Sequence, residues 1–275
     1  MKKFCIAVIA LAVAAGAQAA SPKLVRLWET PAELKVPESV LPDLQRKVLY
    51  ISNIDGEPWK KDGKGSIGKV SLDGKIIATD WVAGFSAPKG MGIRGNLLYV
   101  ADLDQLVVID IEKGQIAKKI AIPGASGLND VTVDEKGVVY ATDTHSRKVF
   151  ALERDRPSVF LEKLKEPNGI LAHKGALYLL DDAGMYRVGT DRKLSPISTD
   201  IGSGVDGIEN VSGNDFLVSR WGGTLHLVHG DGTRQLLLDT EAKKINTADI
   251  GYAAKRRTVY VPTFFKNSIV AYELK

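Results

Sequence analysis

The sequence predicts an all-β fold, a six-bladed β-propeller, and three observations carry that prediction. The first is an internal repeat of roughly 40 residues, the length of a propeller blade. A short segment recurs as ProGluSerVal (37–40), ProLysGlyMet (88–91), LeuAsnAspVal (128–131), ProAsnGlyIle (167–170), ValAspGlyIle (205–208) and, more loosely, ThrAlaAspIle (247–250). Each copy precedes a strand-like stretch anchored on Tyr50, Tyr99, Tyr140, Tyr178, Leu217 or Tyr260, at separations of 49, 41, 38, 39 and 43 residues. The second observation is texture: short apolar runs rich in Val, Ile, Leu and Tyr are punctuated by Gly, Asp and Asn turns, and no long 3.6-period segment follows residue 20. The third is closure. The last copy ends on SerIleValAlaTyrGluLeu (268–274), one strand short, and LysLeuValArgLeuTrp (23–28) is available to complete it.

Taken in chain order, residues 1–20 read as a signal peptide rather than part of the fold. MetLysLys supplies a positive start, residues 4–13 an apolar core, and AlaGlnAla (17–19) a small-residue cleavage site. The apolar run is shorter than the roughly 20 residues a membrane helix needs, so a periplasmic product without a membrane span is expected. Cys5 is the sole cysteine and falls inside this segment, so the exported chain carries neither disulfides nor thiolate chemistry. Residues 21–275 then form the propeller. Without Lys2 and Lys3 the chain holds 35 basic against 33 acidic residues, and no block of like charge suggests a nucleic-acid or membrane partner.

Within each blade the reading is strand, turn, strand, loop, strand, turn, strand. In the third copy these are ValThrVal (131–133), a turn at 134–137, ValValTyrAlaThrAsp (138–143), LysValPheAlaLeu (148–152) and a strand near 159–162. Residues 55–68 form an insertion in the first blade. Innermost strands of a propeller start beside the central channel, so the second residue of each repeat should ring one mouth. That column holds Glu38, Lys89, Asn129, Asn168, Asp206 and Ala248. Loops after the second strands open on the same face and bring Asn53, Asp102 with Asp104, Asp143 with His145, Asp181 with Asp182, and Arg220 with Trp221. Trp59 and Trp221 are candidates to line this mouth.

A ring of carboxylate and amide oxygens suits a hard divalent cation, and Glu38, Asn168 and Asp206 would give a three-ligand site of net charge −2. AsnGly and AspGly are also turn dipeptides in their own right, so residue chemistry leaves a metal and plain turns both open. Two further patterns are set aside. GlyLysGlySerIleGlyLysVal (63–70) matches a glycine-rich nucleotide fingerprint, but strand and turn residues follow it where a helix is required, so no nucleotide is expected. There is also no GlyXaaSerXaaGly elbow for a serine nucleophile.

The repeat, with Glu38 before the first strand, AsnAsp at 129–130, AsnGly at 168–169 and AspGly at 206–207, resembles the senescence marker protein/gluconolactonase family of regucalcin-like propellers over essentially the whole chain after residue 20. The resemblance implies hydrolysis of lactones or related esters. It implies Glu38, Asn168 and Asp206 as ligands of one divalent cation, Ca²⁺ foremost with Mg²⁺, Mn²⁺ or Zn²⁺ as alternatives, and Asn129 as a substrate contact. In such a site Asp206 or Asp130 would accept the proton of the attacking water, and Lys89, His145, Arg220 and Trp221 would face the substrate. There are departures from the family pattern. GluSerVal replaces the usual GluGlyPro or GluSerPro, GlyAlaSerGlyLeuAsnAsp (124–130) lacks the arginine that binds sugar substrates, and Lys89 puts a cation into the ring. A competing expectation is a non-catalytic propeller that binds a small ligand or a protein partner.

Overall fold

In the computed structural model, which describes Met1 and residues 21–275, six four-stranded antiparallel sheets stand around a central axis. Residues 2–20 of the predicted signal peptide, Cys5 among them, lie outside the described residues. No described helix is long and apolar enough to cross a membrane. Blade 1 runs outward through Pro37–Asp43, Val48–Asn53, Gly65–Ser71 and Ile76–Phe85. The innermost strands of blades 2 to 5 are Pro88–Arg94, Leu128–Val133, Pro167–His173 and Val205–Ser212. Blade 6 is closed as expected. Gly251–Ala253, Thr258–Pro262 and Ile269–Leu274 are completed on the outside by Leu24–Glu29, paired antiparallel to the last strand. Reciprocal backbone bonds between Lys23 and Lys275, at 3.1 and 2.9 Å, fasten the two ends.

The apolar core is divided among the blade interfaces. Between blades 1 and 2 lie Tyr50, Ile67, Phe85, Leu98 and Ile109, and between blades 6 and 1 lie Leu49, Ile51, Val70, Tyr260 and Ile269. Equivalent clusters fill the other four interfaces. Each such side chain, taken out of water, stabilises the ring by roughly 1.5–3 kcal/mol. Stability therefore comes from blade-to-blade contact, and the axis itself is left free for polar groups.

Two local devices aim those groups. In each of blades 1 to 5 the innermost strand carries one residue more than its partner over the column position, so the register slips between Pro37 and Ser39, Pro88 and Met91, Leu128 and Val131, Pro167 and Ile170, and Val205 and Ile208. Such a bulge re-aims a side chain and frees a backbone amide. Here freed amides of Ser39, Asp130 and Gly207 donate to the hydroxyls of Ser52, Thr142 and Ser219 on the neighbouring strands. The second device fixes the approach to the bulge. Asp102, Asp143 and Asp181, each closing a second strand, accept the amides of Ser86 and Ala87, Ser126 and Gly127, and Lys165 and Glu166. These carboxylates, placed on the mouth by the sequence, serve as clasps for the backbone. In blade 5 Arg220 takes the same position with reversed polarity, and its Nε donates to the carbonyl of Ser203 at 2.9 Å.

Candidate functional site

At one mouth of the channel the bulges converge Glu38, Lys89, Asn168 and Asp206. Glu38, Lys89 and Asp206 are 4, 2 and 3 % exposed, so the cluster is closed off from solvent. The Lys89 Nζ stands 3.8 Å from Glu38 Oε1. The Asn168 amide sits beside the Asp206 carboxylate, which it helps to keep ionised. Burial raises the Glu38 carboxyl to about 7, against the pull of Lys89. Burial, reinforced by Glu38 and Asp249, holds Asp206 well above the usual carboxylate range. The Lys89 ammonium is pushed down by the same burial and supported by Glu38, Asp206 and Asp102. Glu38 Oε2 is buried with no hydrogen-bond donor among the described residues, which is costly for a carboxylate oxygen unless a cation or proton meets it.

The insertion in blade 1 roofs this cluster. Trp59 lays its ring 4.2 Å from the Lys89 Nζ and packs at 4.3 Å against the imidazole of His145 from blade 3. His145 is exposed and its Nδ1 lies 3.3 Å from the Ser126 carbonyl. Asn129 is buried and donates to Thr144, whose hydroxyl in turn donates to the Pro167 carbonyl. Across the mouth Trp221 stacks edge-on with Phe264 and Phe265. Trp59, Trp221 and Phe265 are the exposed aromatics among the described residues, and all three rise from mouth loops. Arg220 is spent on its clasp and on Glu241 at the rim.

A second layer of acids lies deeper along the axis. The Asp130 carboxylate accepts the amides of Val131 at 2.6 Å and Ile170 at 2.7 Å. Asp249 accepts the Ser39 hydroxyl at 2.5 Å, and Glu209 accepts the Tyr252 amide at 3.2 Å. All three line the opposite end of the channel, a cavity of about 180 Å³. Burial lifts Asp249 and Glu209 each to about 8, helped by Glu38 and by Asp249 respectively, and raises Asp130 well above its ordinary value, with Asp249 adding to the effect.

The structure thus groups Glu38, Lys89, Asn168 and Asp206 at the mouth, sets His145 against Trp59 with Asn129 bonded to the adjacent Thr144, and leaves Arg220 and Trp221 on the rim. Asp130 is pinned in the deeper layer. Asp249 and Glu209 were missed by sequence reasoning, because the repeat puts Ala248 in the column and its neighbour Asp249 one step off it. A signal was present in the adjacent column, which alternates Gly90 with Asp130 and Gly207 with Asp249. A Cβ on Gly90 would meet Asp130 Oδ1 at 2.3 Å, and one on Gly207 would meet Asp249 Oδ1 at 2.5 Å. Each glycine makes room for the next blade's carboxylate.

A donor set of two carboxylates, one of them with an orphaned oxygen, and one amide is of the kind a hard divalent cation takes. Lys89 is one ammonium beside the acids Glu38, Asp206 and Asp102. Gly65–Ser71 is a strand with no helix after it, so the glycine-rich stretch lacks the helix N-terminus that aims amides at phosphate.

An acid-lined, six-bladed propeller is the class this architecture defines. No protein-family model and no curated protein matches the sequence. Among solved structures the chain is similar to one described as a "putative gluconolactonase", at 17 % identity and a TM-score of 0.69, covering 93 % of each chain. It is also similar to a protein of unknown function from Bacteroides thetaiotaomicron (12 % identity, TM-score 0.66, 93 and 76 % covered). Virginiamycin B lyase from Staphylococcus aureus is a third (14 % identity, TM-score 0.60, 92 and 87 % covered). At these identities the likeness carries the propeller fold, which hosts many functions.

Proposed function

We propose that the protein is an exported hydrolase that opens lactones or related esters with the help of one divalent cation held by Glu38, Asn168 and Asp206. The observation that carries this reading is the buried meeting of Glu38 and Asp206, with Glu38 Oε2 lacking any donor. When bound, a divalent ion such as Ca²⁺ supplies Lewis-acid polarisation of the ester carbonyl. The remaining steps belong to the chain. Asn129 orients the substrate beside Trp59 and His145, and closure of the mouth keeps bulk water out.

Asp206 accepts the proton of the attacking water, whose oxygen bonds to the acyl carbon. The ester C–O bond then breaks, and the leaving oxygen takes that proton to give a hydroxy acid. Asp206 suits this role better than Asp130, whose two oxygens are held by backbone amides. Because the cluster is closed, Trp59 must lift from Lys89 for substrate to enter. The alternative, a propeller that binds a ligand without turning it over, is favoured by the lysine and the tryptophan that fill the mouth.

One experiment separates the two. Protein purified from the periplasmic fraction is sequenced from its N-terminus, loaded with Ca²⁺, Mg²⁺, Mn²⁺ or Zn²⁺, and screened against a lactone panel. A start near residue 20, bound metal and metal-dependent turnover are expected. Bound metal without turnover on any lactone would favour the binder, and protein that takes up none of the four ions would sink the hydrolase.

A further inference from the structure

The ring position of Lys89 has a consequence for the same site, one that rests on reading it as a divalent-ion site. Lys89 occupies in blade 2 the bulge position that Glu38, Asn168 and Asp206 occupy in blades 1, 4 and 5. Its ammonium therefore enters the space that the ligand oxygens surround. It stands 3.8 Å from Glu38 Oε1, with Asp206 and Asp102 as further acidic neighbours. No hydrogen bond joins it to Glu38, and Trp59 covers its outer side at 4.2 Å. The ammonium is thus held by charge and by the face of one ring.

We infer that Lys89 is a built-in competitor for the ion: its ammonium neutralises Glu38 in the metal-free protein and opposes a divalent cation on the same carboxylate. Charge makes the opposition strong. A unit charge about 4 Å from a divalent ion repels it enough, even at the dielectric of water, to cost roughly 10- to 100-fold in affinity. Metal binding therefore tightens when Lys89 leaves Glu38, and Trp59 covers the ammonium on its outer side. The blade 1 insertion, which lies outside the repeat, thereby acquires a role. Its tryptophan holds the lysine in the ion's place, and lifting Trp59 would admit substrate and release the ammonium in one movement.

The test is metal affinity, measured by titration calorimetry of chelator-treated protein with Ca²⁺ and with Mn²⁺. Lys89→Met removes the charge and keeps much of the volume, and it should bind roughly 10- to 100-fold tighter than wild type. Lys89→Arg keeps the charge and should stay as weak as wild type. Metal-free Lys89→Met should also melt below wild type and regain the difference when Ca²⁺ is added, because Glu38 then has its counter-charge back.

Equal or weaker binding by Lys89→Met, with wild type binding metal, overturns the inference and leaves the ion site standing. Binding by Lys89→Met alone supports it, and binding by neither protein removes both the ion site and its competitor. Should Lys89→Met fail to fold without metal, Trp59→Ala serves instead. Loss of the cation–π contact should tighten metal binding roughly 2- to 5-fold, and unchanged affinity there would count against the inference.

Discussion

Two layers of buried acid share the axis of this propeller, and they are built differently. In the deeper layer each carboxylate has a donor: Asp130 takes two backbone amides, Glu209 takes one, and Asp249 takes the Ser39 hydroxyl. In the mouth layer Glu38 has one oxygen 3.8 Å from an ammonium and the other facing nothing. A satisfied buried carboxylate ties neighbouring blades together; an unsatisfied one costs free energy unless a ligand answers it. The same residue type therefore serves as architecture in one layer and as a site in the other. Donor supply draws the line between them.

That contrast breaks most readily at the two aspartates. Asp206→Ala should cut lactone turnover by about 10²- to 10³-fold, the effect of losing roughly 3–4 kcal/mol of transition-state stabilisation. Its melting temperature should fall by less than that of Asp130→Ala, since the lost carboxylate leaves only the Asn168 amide without its partner. Asp130→Ala should do the reverse in kind. It strands the amides of Val131 and Ile170 and should cost about 3 kcal/mol of stability, read by denaturant unfolding, while Asp130→Asn, which keeps one acceptor oxygen, should cost less. If Asp206→Ala unfolds the protein and Asp130→Ala spares it, the assignment of roles to the layers is inverted.

The fold was legible because a repeat exposes itself: six copies, their strand anchors and the missing strand of the last copy lead to six blades and to closure by Leu24–Glu29. The mouth column was legible for the same reason, and the structure buries Glu38, Lys89 and Asp206 there. What the repeat could not reveal is where side chains point. The bulge that turns the column toward the axis is a mismatch between two strands, and neither strand alone encodes it. Asp102, Asp143 and Asp181 looked like mouth chemistry because their loops open there, yet their carboxylates fold back onto the amides before the next blade's strand. Trp59 was expected at the mouth, but its contact with Lys89 was not legible, for another reason. It belongs to an insertion with no counterpart in other blades, so its contact with Lys89 has no precedent within the chain.

A finer test of the contrast lies in pH, through Glu209. Its carboxyl is pushed up to about 8, chiefly by burial and then by Asp249, from an ordinary value of 4.5. Folding thus favours its protonated form. That contribution is complete below pH 4.5, where folded and unfolded chains both carry the proton, and it is lost as pH rises toward 8. Wild-type stability should therefore decline across that interval. Glu209→Gln keeps an acceptor for the Tyr252 amide and removes the titration, so its melting temperature should match wild type near pH 4.5 and exceed it above pH 8. A gain of about 1 kcal/mol would appear as roughly 2–4 °C in a chain of this size. Parallel curves for the two proteins would mean that Glu209 is charged in the folded state throughout. The deeper layer would then hold a buried charge answered by the Tyr252 amide alone, and donor supply would no longer be what separates it from the mouth.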